Sequence, residues 1–251
     1  MNTPATGQQW SAGLPAHVKL ALEELIAAAQ KCLGTNLRSM VMFGSGAEGR
    51  LRATSDVNLL IILKQFEQAQ VDPFRDPLRV AHAAAQASVM FVLETELGAV
   101  SEAFAVKFSD IARRHRLLCG DNLLGQLEPT RLAKIQRLQQ VVLNTLLRLR
   151  ERYVLVSLRE PQLALTIAEM AGPLRSAAAT LLELEGKAAG SSREALQVIA
   201  QEKGEPAWLT ALELLSQVRE SRSLPPGKAA EVMFVLMAMC QHLRQRLNQL
   251  A

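Results

Sequence analysis

From Pro15 onward, Val18, Leu22, Leu25, Ile26 and Ala29 recur at the spacing of one helix face. Pro15 suits a first turn, and Gly34 with Asn36 suits the stop. The period then changes. Residues 37–43 read as a strand, and residues 44–49 form a turn of Gly, Ser and other small residues. Residues 56–63, DVNLLIIL, are a near-continuous apolar run with a polar start, the pattern of a strand covered on both faces. Residues 78–86 predict a helix, 89–93 a short strand, 104–108 a further strand, and 110–118 a helix that stops at Gly120. Strands alternating with helices predict an α/β domain.

After Gly125 only the helical period continues. Residues 129–154 place Leu132, Ile135, Leu138, Val142, Thr145, Leu146 and Leu149 near one face. Residues 161–185 predict a second helix, with a bend expected at Gly172-Pro173. Residues 192–201, 206–220 and 228–250 supply three more. The expected organisation is a flexible N-terminus over 1–14, an α/β domain with a mixed sheet and flanking helices over 15–122, and an all-α helical bundle over 123–251.

Composition narrows the class. Half of the chain is apolar, but only ten residues are aromatic, which favours Leu- and Ala-rich helices over a β-sandwich. Cys32, Cys119 and Cys240 are far apart and have no ligand spacing, so they read as reduced core thiols of a cytoplasmic protein. The N-terminus has no signal-peptide pattern, and the apolar stretch over 229–240 is shorter than the roughly 20 residues a membrane span needs. Residues 1–122 carry as many basic as acidic side chains, and the net +4 falls entirely in residues 123–251. That excess is compatible with phosphate-bearing partners.

The segment that carries chemistry is residues 40–63, MVMFGSGAEGRLRATSDVNLLIIL. A strand ends in Gly44-Ser45, a ten-residue spacer follows, and Asp56-Val57-Asn58 opens the next strand. This resembles the signature of the nucleotidyltransferase superfamily, the polymerase-beta-like and kanamycin-type fold: an apolar residue, Gly-Ser, a spacer, then Asp-apolar-Asp. The pairs Gly49-Arg50 and Ser55-Asp56 resemble its bacterial members. Gly lets the backbone approach a triphosphate, and a hydroxyl with nearby amides can hold phosphate oxygens. Alternate strand residues point the same way, so positions 56 and 58 face one site, where two carboxylates would hold a divalent metal. A third carboxylate from a neighbouring strand would complete a two-metal site.

By that resemblance, Gly44 and Ser45 would bind the triphosphate of ATP or another nucleotide, and Asp56 would bind Mg²⁺. The family transfers a nucleoside monophosphate to a hydroxyl and releases pyrophosphate. The sequence departs from the pattern twice. Position 58 is Asn58. In residues 104–124, FAVKFSDIARRHRLLCGDNLL, which resemble the family's third-carboxylate strand, the expected Glu is Lys107. An ammonium there would repel Mg²⁺. Lys107 and Arg50 could instead contact a phosphate directly, or Lys107 could be a solvated surface lysine. Glu94 and Glu96 are the nearest replacement carboxylates.

Arg113, Arg114, His115 and Arg116 read as a solvated helix face or as a cluster leaning towards phosphates. Arg131, Lys134, Arg137, Arg148, Arg150 and Arg152 make the long helix basic, but aromatics for stacking bases are missing, which disfavours nucleic acid. The expectation is a nucleotide-binding protein with nucleotidyl transfer impaired or lost. The alternatives are an active Mg²⁺-dependent transferase acting on a small molecule or protein and, third, a nucleic-acid module. A protein partner or a homodimer is compatible with the apolar helical half.

Overall fold

The computed structural model describes residues 9–51, 55–187 and 190–250. The chain divides into two compact units, one of residues 1–101 with 108–128, the other of residues 102–107 with 129–251. Residues 1–8 of the expected flexible N-terminus lie outside the described residues. Residues 9–14 depart from that expectation: Gln9–Ser11 form a 3-10 turn, and Trp10 and Leu14 pack on the core of the first unit.

The first unit opens with α1 (Ala16–Leu33), which buries Val18, Leu22, Leu25 and Ala29, all of them on the apolar face expected. Then come β1 (Leu37–Phe43), β2 (Val57–Leu63), the single turn α2 (Gln68–Val71), α3 (Arg75–Ala85) and β3 (Ala87–Leu93). The chain goes on through α4 (Leu97–Ala103) and α5 (Ala105–Arg113) to β4 (His115–Gly120). The sheet order is β3-β2-β1-β4. β1 runs antiparallel to both β2 and β4, and β3 runs parallel to β2. A parallel neighbour requires a crossover, and α2 and α3 supply it. β2 reads as a continuous apolar run because both of its faces are covered. Val57, Leu59, Ile61 and Leu63 join the core under α1 and α3, whereas Leu60 and Ile62 join a second layer with Phe108 and Ile111.

Two expectations fail here. Residues 104–108 are not a strand, because Phe104 is a turn residue and α5 takes in 105–108, and the helix expected over 110–118 ends at Arg113 and gives way to β4. Phe104, Val106 and Phe108 alternate as a strand would. Ala105, Phe108 and Ile111 also recur every three residues, and this second period buries all three, to 0%, 2% and 1% exposure. In β4 the polar His115-Arg116 start conceals a strand whose apolar part is short.

The second unit holds α6 (Arg131–Val156), α7 (Glu160–Leu184), α8 (Ser192–Lys203), α9 (Pro206–Ser221) and α10 (Lys228–Asn248). α7 is buried around nearly its whole girth and continues through Pro173 as one helix. Thr130 caps α6 by accepting from the Ala133 amide at 3.2 Å, and Ser191 caps α8 by accepting from the Glu194 amide at 3.2 Å. Glu102 accepts the amide and the hydroxyl of Thr130, at 2.7 and 2.8 Å. Burial pushes the Cys119 thiol up to about 11 and the Cys240 thiol up to about 12, so both are un-ionised at neutral pH.

Candidate functional site

The site lies at the end of the sheet where β1 stops and β2 and β3 begin. Gly44 follows β1 with φ +72°, a left-handed conformation that costs a non-glycine residue roughly 1–2 kcal/mol. Its amide donates to the Arg114 carbonyl at 3.2 Å, which ties the turn to the start of β4. The turn then coils on itself. The amide of Glu48 donates to the Gly44 carbonyl at 3.3 Å, that of Gly49 to Gly46 at 3.1 Å, and that of Arg50 to Ser45 at 3.0 Å. The amides of Ser45, Gly46 and Ala47 open this coil, as the first amides of a helix do. A Cβ on Gly46 would sit 2.8 Å from the Met42 sulfur, so the turn rests directly on β1.

Asp56 is exposed just before β2, and Asn58 is half-buried within it, opposite Phe43 of β1. The Asn58 amide nitrogen lies 3.4 Å from the Asp56 carbonyl and 4.0 Å from where a Cβ of Gly44 would stand. Residues 56 and 58 share the sheet face of Leu60 and Ile62. The neighbour of Asn58 on β3 is Ser88, on the same face as Met90 and Val92. The strands beside Asn58 therefore offer an aromatic ring and a hydroxyl. Glu94 and Glu96 do not replace a missing carboxylate. They follow β3 at its other end, and its seven residues carry them roughly 20 Å from the Asp56 end. Glu94 is bound to Arg38 at 2.9 Å, and the Glu96 carboxylate accepts the Leu93 amide at 2.9 Å.

Lys107 is corrected as well. It lies on α5, in a stretch belonging to the second unit, and not on a strand of the sheet. The strand on the other side of β1 from β2 is β4, so the cations that its start brings to this end of the sheet come from residues 113–116. Sequence reasoning raised that cluster only as a secondary option.

Four arginines stand at or beside this end, Arg50, Arg113, Arg114 and Arg116, against the carboxylates of Glu48, Asp56 and Asp110. Arg114 is a hub. It lies 3.2 Å from Glu48 of the turn and grips both oxygens of Asp110. Burial alone would lower its pKa. The bonds and charges of Asp110 and Glu48 outweigh burial, so the pKa is raised and the guanidinium stays charged. Arg116 donates to the carbonyls of Trp10 at 2.9 Å and Ala12 at 2.6 Å, beside Gly49.

A two-metal site needs several carboxylates converging on one volume. Among the described residues no group of three or more His, Cys, Asp or Glu could hold a metal ion. Asp56 with the neutral Asn58 does not fit that set. What the arrangement offers is a coiled turn with leading amides, one carboxylate and a margin of guanidinium charge.

No protein-family model matches the chain, and no curated protein matches its sequence. Among solved structures, the chain is similar to a spectinomycin adenyltransferase from Enterococcus faecialis, crystallised with ATP and spectinomycin. The likeness covers 92% of this chain and 99% of that one, with a TM-score of 0.61 and 12% identity. The chain has the nucleotidyltransferase fold. The expected Gly44-Ser45 turn and the Asp56-Val57-Asn58 start of β2 stand side by side at this end of the sheet. The basic face of α6 is partly engaged within its own unit. Arg131 donates to the Leu184 carbonyl at 2.7 Å, Lys134 pairs with Glu183 at 2.6 Å, and Arg137 lies 5.2 Å over the Phe104 ring. No helix among the described residues is long and apolar enough to cross a membrane.

Proposed function

We propose that this protein binds a nucleoside triphosphate such as ATP at the 44–49 turn, and that metal-dependent nucleotidyl transfer is impaired or lost. One observation carries the reading: Asn58 alternates with Asp56, and its strand neighbours are Phe43 and Ser88. A single carboxylate cannot neutralise a metal pair. Gly44 and Ser45 lie where phosphate oxygens would meet amides and a hydroxyl, and Arg50 is exposed beside them. Guanidinium charge stands in for part of the metal charge, because Arg keeps its proton at any working pH.

The test is calorimetric titration with ATP, with and without Mg²⁺, on wild type and Asp56→Ala. The expected result is ATP binding that is indifferent to Mg²⁺ and little changed by Asp56→Ala. Tight binding that requires Mg²⁺ and is abolished by Asp56→Ala, with pyrophosphate released, would establish an active transferase instead. No binding in either condition would refute the nucleotide reading and leave a protein partner as the next candidate.

A further inference from the structure

We infer that Glu48, Arg114 and Asp110 form a brace that holds the 44–49 turn in its phosphate-receiving shape, with Arg114 as a positioning residue for nucleotide binding. The inference rests on the nucleotide reading above. The turn contains Gly44, Gly46 and Gly49, residues that lose the most freedom when ordered. Its internal hydrogen bonds all join residues within the coil or next to it, so they fix its curl and not its place on the sheet.

Arg114 supplies that place by holding the turn twice. Its carbonyl accepts the Gly44 amide at 3.2 Å, and its guanidinium reaches Glu48 at 3.2 Å. It is itself held from below. Its amide donates to the Asp110 carbonyl at 3.0 Å, its Nε donates to an Asp110 carboxylate oxygen at 3.0 Å, and the Asp110 side chain is 12% exposed. A planar fork bound to a carboxylate is stiffer than a lysine in the same place. Arg116 closes the far end by holding the Trp10 and Ala12 carbonyls against Gly49.

Charge gives the brace a second task. Glu48 lies within the turn proposed to receive an anion, and an unpaired carboxylate there would repel phosphate. Arg114 cancels that charge while fixing the geometry, so the cost of ordering the turn is met before the nucleotide arrives.

The experiment compares Arg114→Gln, Arg114→Lys, Glu48→Gln and the Arg114→Gln/Glu48→Gln double variant. Two readouts are taken: ATP dissociation constants by calorimetry without metal, and amide hydrogen exchange at residues 46–50 in the unliganded protein. Arg114→Gln is expected to weaken ATP about tenfold, equivalent to about 1.4 kcal/mol, and to speed exchange in the turn. Arg114→Lys recovers part of the affinity. The double variant loses less than the product of the two single losses, because both changes break one contact. Unchanged exchange in Arg114→Gln would overturn the brace, whether or not ATP binds. Faster exchange with unchanged ATP affinity would overturn the positioning role. If wild type itself fails to bind ATP, the nucleotide reading falls, and the exchange result judges the brace by itself. Should Arg114→Gln not fold, Glu48→Gln is read alone: its surface change must speed exchange in the turn, and unaltered exchange would overturn the brace.

Discussion

Asn58 differs from aspartate by one atom type, and on the proposed function that difference decides what the sheet end can hold. Its amide nitrogen sits 3.4 Å from the Asp56 carbonyl and 4.0 Å from where a Cβ of Gly44 would stand, so its polar end already faces the turn. Asn58→Asp therefore restores a carboxylate without moving the backbone. ATP affinity of the variant is expected to become dependent on Mg²⁺ by at least about tenfold, the scale on which changes around a metal alter its affinity. Calorimetry with and without Mg²⁺ checks this, and an Asn58→Asp protein that still ignores Mg²⁺ would show that position 58 is not what disables the metal site. At this scale the sequence was legible where one residue type has one physical use. Gly44 announced its left-handed turn, and Asp56 announced the start of β2. Glu94 and Glu96 misled, because their value depends on which end of β3 they occupy. That follows from β3 running parallel to β2, which no local pattern records.

At the scale of elements, periodicity served best where it was long. The five helices of the second unit each repeat their apolar face over several turns and carry end signals such as Thr130, Ser191 and Gly204. β4 was missed because only Leu117, Leu118 and Cys119 are apolar in it, and the preceding arginines extend a helical pattern across the real boundary. What a single-helix pattern also cannot reveal is how helix ends are fastened together. Glu185 after α7, Glu202 on α8 and Arg246 on α10 converge, with Arg246 reaching Glu202 at 2.8 Å and Glu185 at 2.8 Å. Lys187 adds a contact to Glu202 at 2.7 Å. Burial would raise the Glu185 pKa, but Arg246 and Lys187 more than reverse this. Glu202 is lowered as well, by Lys187 first. Both carboxylates thus fall below the ordinary 4.5. Their stabilisation is complete above that value and is lost as pH falls through the depressed folded values. Arg246→Ala is expected to cost about 2 kcal/mol at pH 7, within the range for hydrogen bonds to charged groups. That penalty should shrink at acid pH in urea titrations. An equal penalty at pH 7 and pH 3 would show that the cluster contributes packing and not charge.

At the scale of the molecule, the described residues build three buried clusters, one on each face of the sheet and one in the helical unit. The core of the helical unit centres on α7, where Leu181 and Leu182 are fully buried. Leu181→Ala is expected to cost about 2–5 kcal/mol, the range for removing a buried leucine side chain, read as an earlier urea midpoint by far-ultraviolet circular dichroism. A shift worth less than 1 kcal/mol would contradict the packing described. The strand order β3-β2-β1-β4 carries a further consequence, one of timing. β1 leaves the ribosome well before β4, and its outer edge waits for that strand, which lies beyond two strands and the helices between. Closing so long a loop is slow compared with pairing β1 to β2. Because Arg114 immediately precedes β4, the nascent 44–49 turn lacks its Arg114 anchor until that late pairing. The turn therefore reaches its final shape as one of the last events in the maturation of the first unit, after most of the surrounding hydrophobic interior has already condensed.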